Sequence, residues 1–123
     1  MDILVIKNTL PILLKGSIMT VELTVITLIF GTILGVLLAL LKLSKNVALR
    51  TISGFYTWIF RGTPLLLQLF FFYYGLPFIG ITLTPFSAAI LGLGLNCAAY
   101  MAEIIRGGIQ SIDKGQFEDR KSV

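Results

Sequence analysis

The 123 residues are 56% hydrophobic and only 13% charged, with a mean hydropathy of +0.93, whereas soluble domains carry about 25% charged residues; a water-soluble core cannot absorb that much apolar surface. The net charge of +4 does not indicate nucleic acid, because Lys42, Lys45, Arg50 and Arg61 lie between apolar runs and not along one folded face. With no His, and with Cys97 alone inside an apolar run, His-based triads, an intrachain disulfide and a Cys/His metal site are excluded.

Residues 1–17 set Ile3, Leu4, Ile6, Leu10, Leu13 and Leu14 against Lys7, Asn8 and Lys15, a spacing that predicts a helix lying in the membrane interface. A secretory signal peptide is the rival reading. Against it stand Pro11 and Lys15 inside the apolar stretch, and no small-x-small cleavage site follows.

Residues 18–41 form the first predicted span, about 24 residues where about 20 suffice. Its one charge, Glu22, is close enough to the start to reach the headgroup region. Gly31 and Gly35 make a small-xxx-small pair that lets another helix come close. Residues 42–61 carry four basic side chains and no acidic one, which predicts a cytoplasmic loop and an outside N-terminus.

Residues 62–102 carry no charge, and at about 41 residues they are twice as long as one span requires. They must fold back once. Gly75, Pro77, Gly80 and Pro85 mark the turn, so the second span ends near Gly75 and the third runs from near Pro85 to about Ile105. Thr63-Pro64 reads as a helix start, with the hydroxyl placed to cap it. From there to Gly75 is only about 18 Å of helix, too short to cross alone. Residues 55–60 must therefore enter the bilayer too, with a kink or break at Arg61-Gly62.

In the third span Asn96, Tyr100, Glu103, Gly107 and Gln110 share one helical face. Polar groups in spans turn inward and mark either a substrate route or interhelical hydrogen bonds; both readings stand for Asn96 and Tyr100. Glu103, near the span's end, also suits an ion pair with Arg61 or Arg106, and Gln68, the amide of the second span, suits either a packing hydrogen bond or the route. The aromatic run 70–74 reads as an interfacial belt.

Two stretches occur in order: Arg61-Gly62-Thr63-Pro64-Leu65-Leu66-Leu67-Gln68-Leu69-Phe70 with Tyr74-Gly75-Leu76-Pro77, and Ala99-Tyr100-Met101-Ala102-Glu103-Ile104-Ile105-Arg106-Gly107-Gly108-Ile109-Gln110-Ser111-Ile112, followed by Lys114-Gly115-Gln116 and Glu118. Together they resemble the permease subunits of ATP-binding-cassette importers for polar amino acids. The resemblance implies an all-α, integral membrane, five-span permease fold. This chain would supply the interfacial helix (1–17), three spans (18–105) and an incomplete cytoplasmic coupling segment (106–123).

It further implies a subunit of the bacterial inner membrane that forms the translocation pathway and catalyses no bond chemistry. Its partners would be a second permease chain, two ATPase subunits, an extracytoplasmic amino-acid-binding protein and membrane lipids. No G-x-x-x-x-G-K-[ST] occurs, so the chain binds no cofactor and ATP is used by the partner. Substrate-pathway candidates are Asn96, Tyr100, Gln68 and Glu103. Candidates for contact with the ATPase are Gly108, Ile109, Ile112, Lys114, Gly115, Gln116, Phe117 and Glu118.

The family's coupling loop begins Glu-Ala-Ala, with Gly three residues on. Here Glu118 is followed by Asp119 and Arg120 where the two alanines belong, and the sequence stops at Val123 before the Gly. That departure raises the expectation of a frameshift or early gene end, and of a fragment that inserts without transporting, its Gly31/Gly35 face and polar stripe lacking neighbouring helices. A small autonomous channel is the other alternative.

The predicted topology is testable in a Cys97→Ala background. Ser44→Cys should be labelled by an impermeant thiol reagent only from the cytoplasmic side and Thr82→Cys only from outside; the reverse pattern would overturn the orientation.

Overall fold

The computed structural model describes the backbone of residues 2–122 and the side chains of residues 2–112. Helices account for nearly all of it, and no strand occurs among the described residues. The order is α1 (Asp2–Lys42), α2 (Val47–Gly62), α3 (Leu65–Phe70) running into a wide π-turn (Phe71–Gly75) and a 3-10 turn (Leu76–Ile79), and α4 (Pro85–Ser122).

Helix α1 is continuous. It passes Pro11 and Gly16 without a break, because one missing proline donor does not undo a helix whose flanks are runs of Leu and Ile. The division placed at residue 17 is therefore not a backbone break, and neither is the one at 105, which α4 crosses unbroken. Ser17, Thr20 and Thr24 donate to the Leu13, Gly16 and Thr20 carbonyls at 2.7–2.8 Å. Their hydroxyls are thus satisfied inside the helix, as apolar surroundings require.

The basic segment 42–61 is mostly helix and not loop. Only residues 43–46 turn, after which Asn46 accepts from the Ala48 N–H at 2.9 Å and caps α2. At the other end of the fold, Gly80 adopts φ 89°, a left-handed conformation open to glycine. It stops the 3-10 turn, and Thr84 then caps α4 through the Ser87 N–H at 3.1 Å with Pro85 in the first turn.

The packing centre is α1 against α4. A Cβ on Gly31 would lie 2.7 Å from Cys97 Sγ, and one on Gly35 would lie 2.7 Å from Met101 Cβ and 3.2 Å from the Ala98 carbonyl. Both helices advance in the same direction through these contacts, so they are parallel. Ala98, Ala99 and Ala102 are fully buried there with Ala39. The expectation that the Gly31/Gly35 face lacks a neighbour is thus wrong: α4 of the same chain fills it, since small residues on both helices permit close approach. Carried back at the same offset, Pro85 stands at about the level of Met19, and α1 projects beyond it by roughly 25 Å.

Helix α2 lies across the second half of α1. Ser53 and Thr57 are on its buried face, Ser53 donating to the Leu38 carbonyl of α1 at 2.8 Å. Tyr56 donates to the Leu95 carbonyl of α4 at 2.8 Å. Hydroxyl-to-carbonyl bonds of this kind join helices that have no hydrophobic drive to associate in lipid.

Gly35→Val should cost about 1–3 kcal/mol, since Met101 is held by the α4 backbone and cannot withdraw. Gly54→Ala, with nothing within 4 Å of the new Cβ, should cost nothing. Unfolding of both variants in mixed detergent micelles, followed by circular dichroism, provides the check; equal stability would contradict the packing described.

Candidate functional site at a broken helix

The site begins with a missing proton. In a continuous helix the Phe60 carbonyl would accept from the N–H of residue 64, but that residue is proline and has none. The helix breaks there. Helix α2 closes at Gly62 with Thr63 as its C-cap, the Thr63 N–H reaching the Ile59 carbonyl at 3.1 Å. Helix α3 restarts at Leu65, bent by 105° from α2. The break thus falls at Thr63-Pro64 and not at Arg61-Gly62. Pro64, not Thr63, occupies the cap position of α3, with no side-chain cap. The Thr63 hydroxyl turns back instead, to the Ile59 carbonyl at 2.8 Å.

Two side-chain amides take up the carbonyl that proline leaves open. Gln68 Nε2 donates to the Phe60 carbonyl at 2.9 Å and is also within reach of the Thr63 hydroxyl at 2.7 Å and the Thr63 carbonyl at 3.2 Å. Asn96 Nδ2 donates to the same Phe60 carbonyl at 3.2 Å and to Gln68 Oε1 at 3.1 Å. Gln68 is only 7% exposed. Two of the four residues proposed to line a pathway therefore meet, and both are engaged in closing a backbone break.

The other two lie further along α4. Tyr100 is 45% exposed, its ring 5.6 Å beneath the Arg61 guanidinium, within cation–π range. Glu103 is half-buried and draws three cations: it pairs with Lys42 from the end of α1, with Arg106 at 2.8 Å, and with Arg61 at 3.6 Å from the end of α2. The ion pair predicted for Glu103 joins both expected arginines and also Lys42. That lysine was legible only as a basic residue, because nothing in the sequence says that α1 ends beside α4. Farther on, Gln110 accepts from Arg106 at 3.0 Å on an exposed turn.

A cleft of about 270 Å³ opens inside the elbow, walled by Ile59, Leu67, Phe71 and Phe72 with Thr63 and Gln68. Its polar groups are already occupied, so it suits an apolar neighbour and not a charged solute. Of the aromatic run, Phe72 is buried, while Phe70 and Tyr74 meet edge to face on the exposed side. Of the coupling candidates, Gly108 and Ile112 are exposed and Ile109 is half-buried. Lys114, Gly115, Gln116, Phe117 and Glu118 lie outside the residues whose side chains are described. Among the described residues no cluster of His, Cys, Asp or Glu could hold a metal ion.

Two helices are long and apolar enough to cross a bilayer, and the bent pair α2–α3 makes a third if it is one span. Most large apolar side chains are exposed along them, while mid-helix hydroxyls such as those of Ser17, Thr20, Thr24, Ser53 and Tyr56 are paired with backbone carbonyls, which is the economy of a multi-pass membrane protein. The chain belongs to the family of binding-protein-dependent transport system inner membrane components, whose pattern matches residues 31–119.

Its relatives are consistent with this. It is 51% identical over 112 residues to a Rickettsia bellii (strain RML369-C) protein provisionally named glutamine transport system permease GlnP, covering 90% of this chain and 51% of that one. It is 48% identical over 110 residues to the arginine transport system permease ArtQ of Bacillus subtilis (strain 168), covering 89% and 50%. A crystal structure of an amino acid ABC transporter with histidines superposes with a TM-score of 0.89 at 38% identity, over 99% of this chain and 57% of that one. The chain spans about half the length of the curated relatives it matches.

Gln68→Leu should cost about 1–3 kcal/mol, the penalty for a buried polar group left short of a partner. Adding Pro64→Ala, which returns a backbone donor to the Phe60 carbonyl, should recover part of that loss. A double-mutant cycle read by unfolding in mixed micelles tests it; strictly additive effects would mean that the amide does not serve the carbonyl.

Proposed function

We propose that the chain forms part of the membrane-spanning subunit of an ATP-binding-cassette importer for polar amino acids. The observation that carries this reading is the 0.89 TM-score at 38% identity to an amino acid ABC transporter, together with relatives named for glutamine, arginine and L-cystine transport. In this reading a second permease chain completes the pathway, two ATPase subunits supply the energy, and an extracytoplasmic binding protein delivers the amino acid. The N-terminus faces outward, as the basic residues 42–61 favour. The polar end of α4, from Gly108 onward, meets the ATPase.

In this reading the four pathway candidates differ in role. Asn96 and Gln68 hold the elbow and shape the route from behind, and Glu103 ties the ends of α1 and α2 to α4. Tyr100, half-exposed on the same face of α4 and backed by Arg61, is the group best placed to meet a passing solute. Which amino acid is carried depends on surfaces beyond this half of the fold.

A chimera tests the reading: residues 16–118 of this chain replace the matching half of ArtQ, assembled with that system's own ATPase and binding protein. ATP-dependent amino-acid uptake is expected. Tyr100→Leu should lower uptake about tenfold or more with assembly unchanged, the loss of one solute contact of about 1.4 kcal/mol, while Asn96→Leu should lower both uptake and stability. An assembled chimera that hydrolyses ATP but takes up no amino acid would falsify the reading.

A further inference from the structure

The cluster around Glu103 is not balanced. Lys42, Arg61 and Arg106 converge on one carboxylate, which leaves two positive charges uncompensated among the described residues. They are not equally held. Arg106 binds Glu103 and Gln110 through its terminal nitrogens, but its Nε–H is buried without an acceptor. Arg61 is 3.6 Å from the carboxylate, longer than a hydrogen bond, and its side chain is 46% exposed. Donors are therefore left over where the ends of α1 and α2 meet the middle of α4.

The surroundings are those of a bilayer edge. Trp58, one turn before Arg61 on α2, is 72% exposed and touches the exposed ring of Phe55, while Ile104 stands exposed beside Glu103. Exposed tryptophan marks the headgroup level of a membrane, and Ile104 offers apolar surface for an acyl chain. Lys45, three residues beyond Lys42, adds basic charge close by in the chain. Arginine forks match the oxygens of a phosphate, and basic pockets between membrane helices suit anionic headgroups.

We propose that Arg61 and Arg106, with Lys42 behind them, form a binding site for the phosphate of an anionic phospholipid, whose chains lie along Trp58 and Ile104. The lipid supplies the second anion that Glu103 alone cannot provide. It ties the ends of α1 and α2 to the middle of α4 at the membrane surface.

Trp58 is the sole tryptophan, so it reports the lipids beside the site. The full chain is placed in phosphatidylcholine vesicles containing phosphatidylglycerol, with bromine on the acyl chains of one lipid or the other, and quenching of Trp58 gives their relative association. Phosphatidylglycerol should be preferred by about fivefold per uncompensated charge. Arg61→Gln, which leaves the Lys42–Glu103–Arg106 pairs in place, should lower the ratio by about that factor, while Arg61→Lys and the remote Lys7→Gln should keep it. A ratio near one in the unaltered chain would overturn the proposal, as would an unchanged ratio in Arg61→Gln or an equal loss in Arg61→Gln and Arg61→Lys. Inorganic phosphate added at constant ionic strength should leave the preference intact; its abolition would assign the site to a soluble anion and overturn the lipid.

Discussion

Pro64 has no proton to give, and the consequences of that organise half of this molecule. In water an open carbonyl at Phe60 would be hydrated at little cost; in apolar surroundings it costs several kcal/mol unless the protein supplies a donor. Gln68 supplies one from the helix after the break and Asn96 another from α4. The same pair of amides therefore closes the backbone, sets the 105° elbow between α2 and α3, and fixes the elbow against α4. Thr63 contributes by returning its own hydroxyl to the Ile59 carbonyl.

A second constraint fixes the frame on which that elbow rests. Gly31 and Gly35 of α1 meet Cys97, Ala98 and Met101 of α4 so closely that no Cβ fits. Backbones this near exchange dispersion contacts that branched residues would prevent. Helix α2 is then joined to both by hydroxyl-to-carbonyl bonds from Ser53 and Tyr56. The ends of α1 and α2 converge on Glu103 in the middle of α4.

Within a family of transport components, this arrangement separates polar residues that look alike in the sequence. Asn96 and Gln68 are consumed by the backbone they repair. Glu103 is consumed by cations and still leaves positive charge over. Tyr100 alone of the four is exposed. A residue engaged in closing a break can still shape a pathway, because moving it would release the elbow.

Hydropathy and charge by themselves determined the membrane class, the existence of an apolar chain folded back once, the start of α4 at Pro85 and the shared face of Asn96, Tyr100 and Glu103. These are properties of local composition and of the 3.6-residue period, and the motifs around Arg61 and Tyr100 added the family. Only the tertiary structure decided that α1 is one uninterrupted helix, that α2 begins at Val47, that Gly31 and Gly35 belong to α4, and that Lys42 joins Glu103. Each of those depends on which surfaces meet across long sequence separations, and periodicity along one helix says nothing about the helix beside it. The Phe60 carbonyl lies between the two cases. Pro64 announces in the sequence that a donor is missing, but 28 residues separate Gln68 from Asn96, and only their meeting in space shows what replaces it.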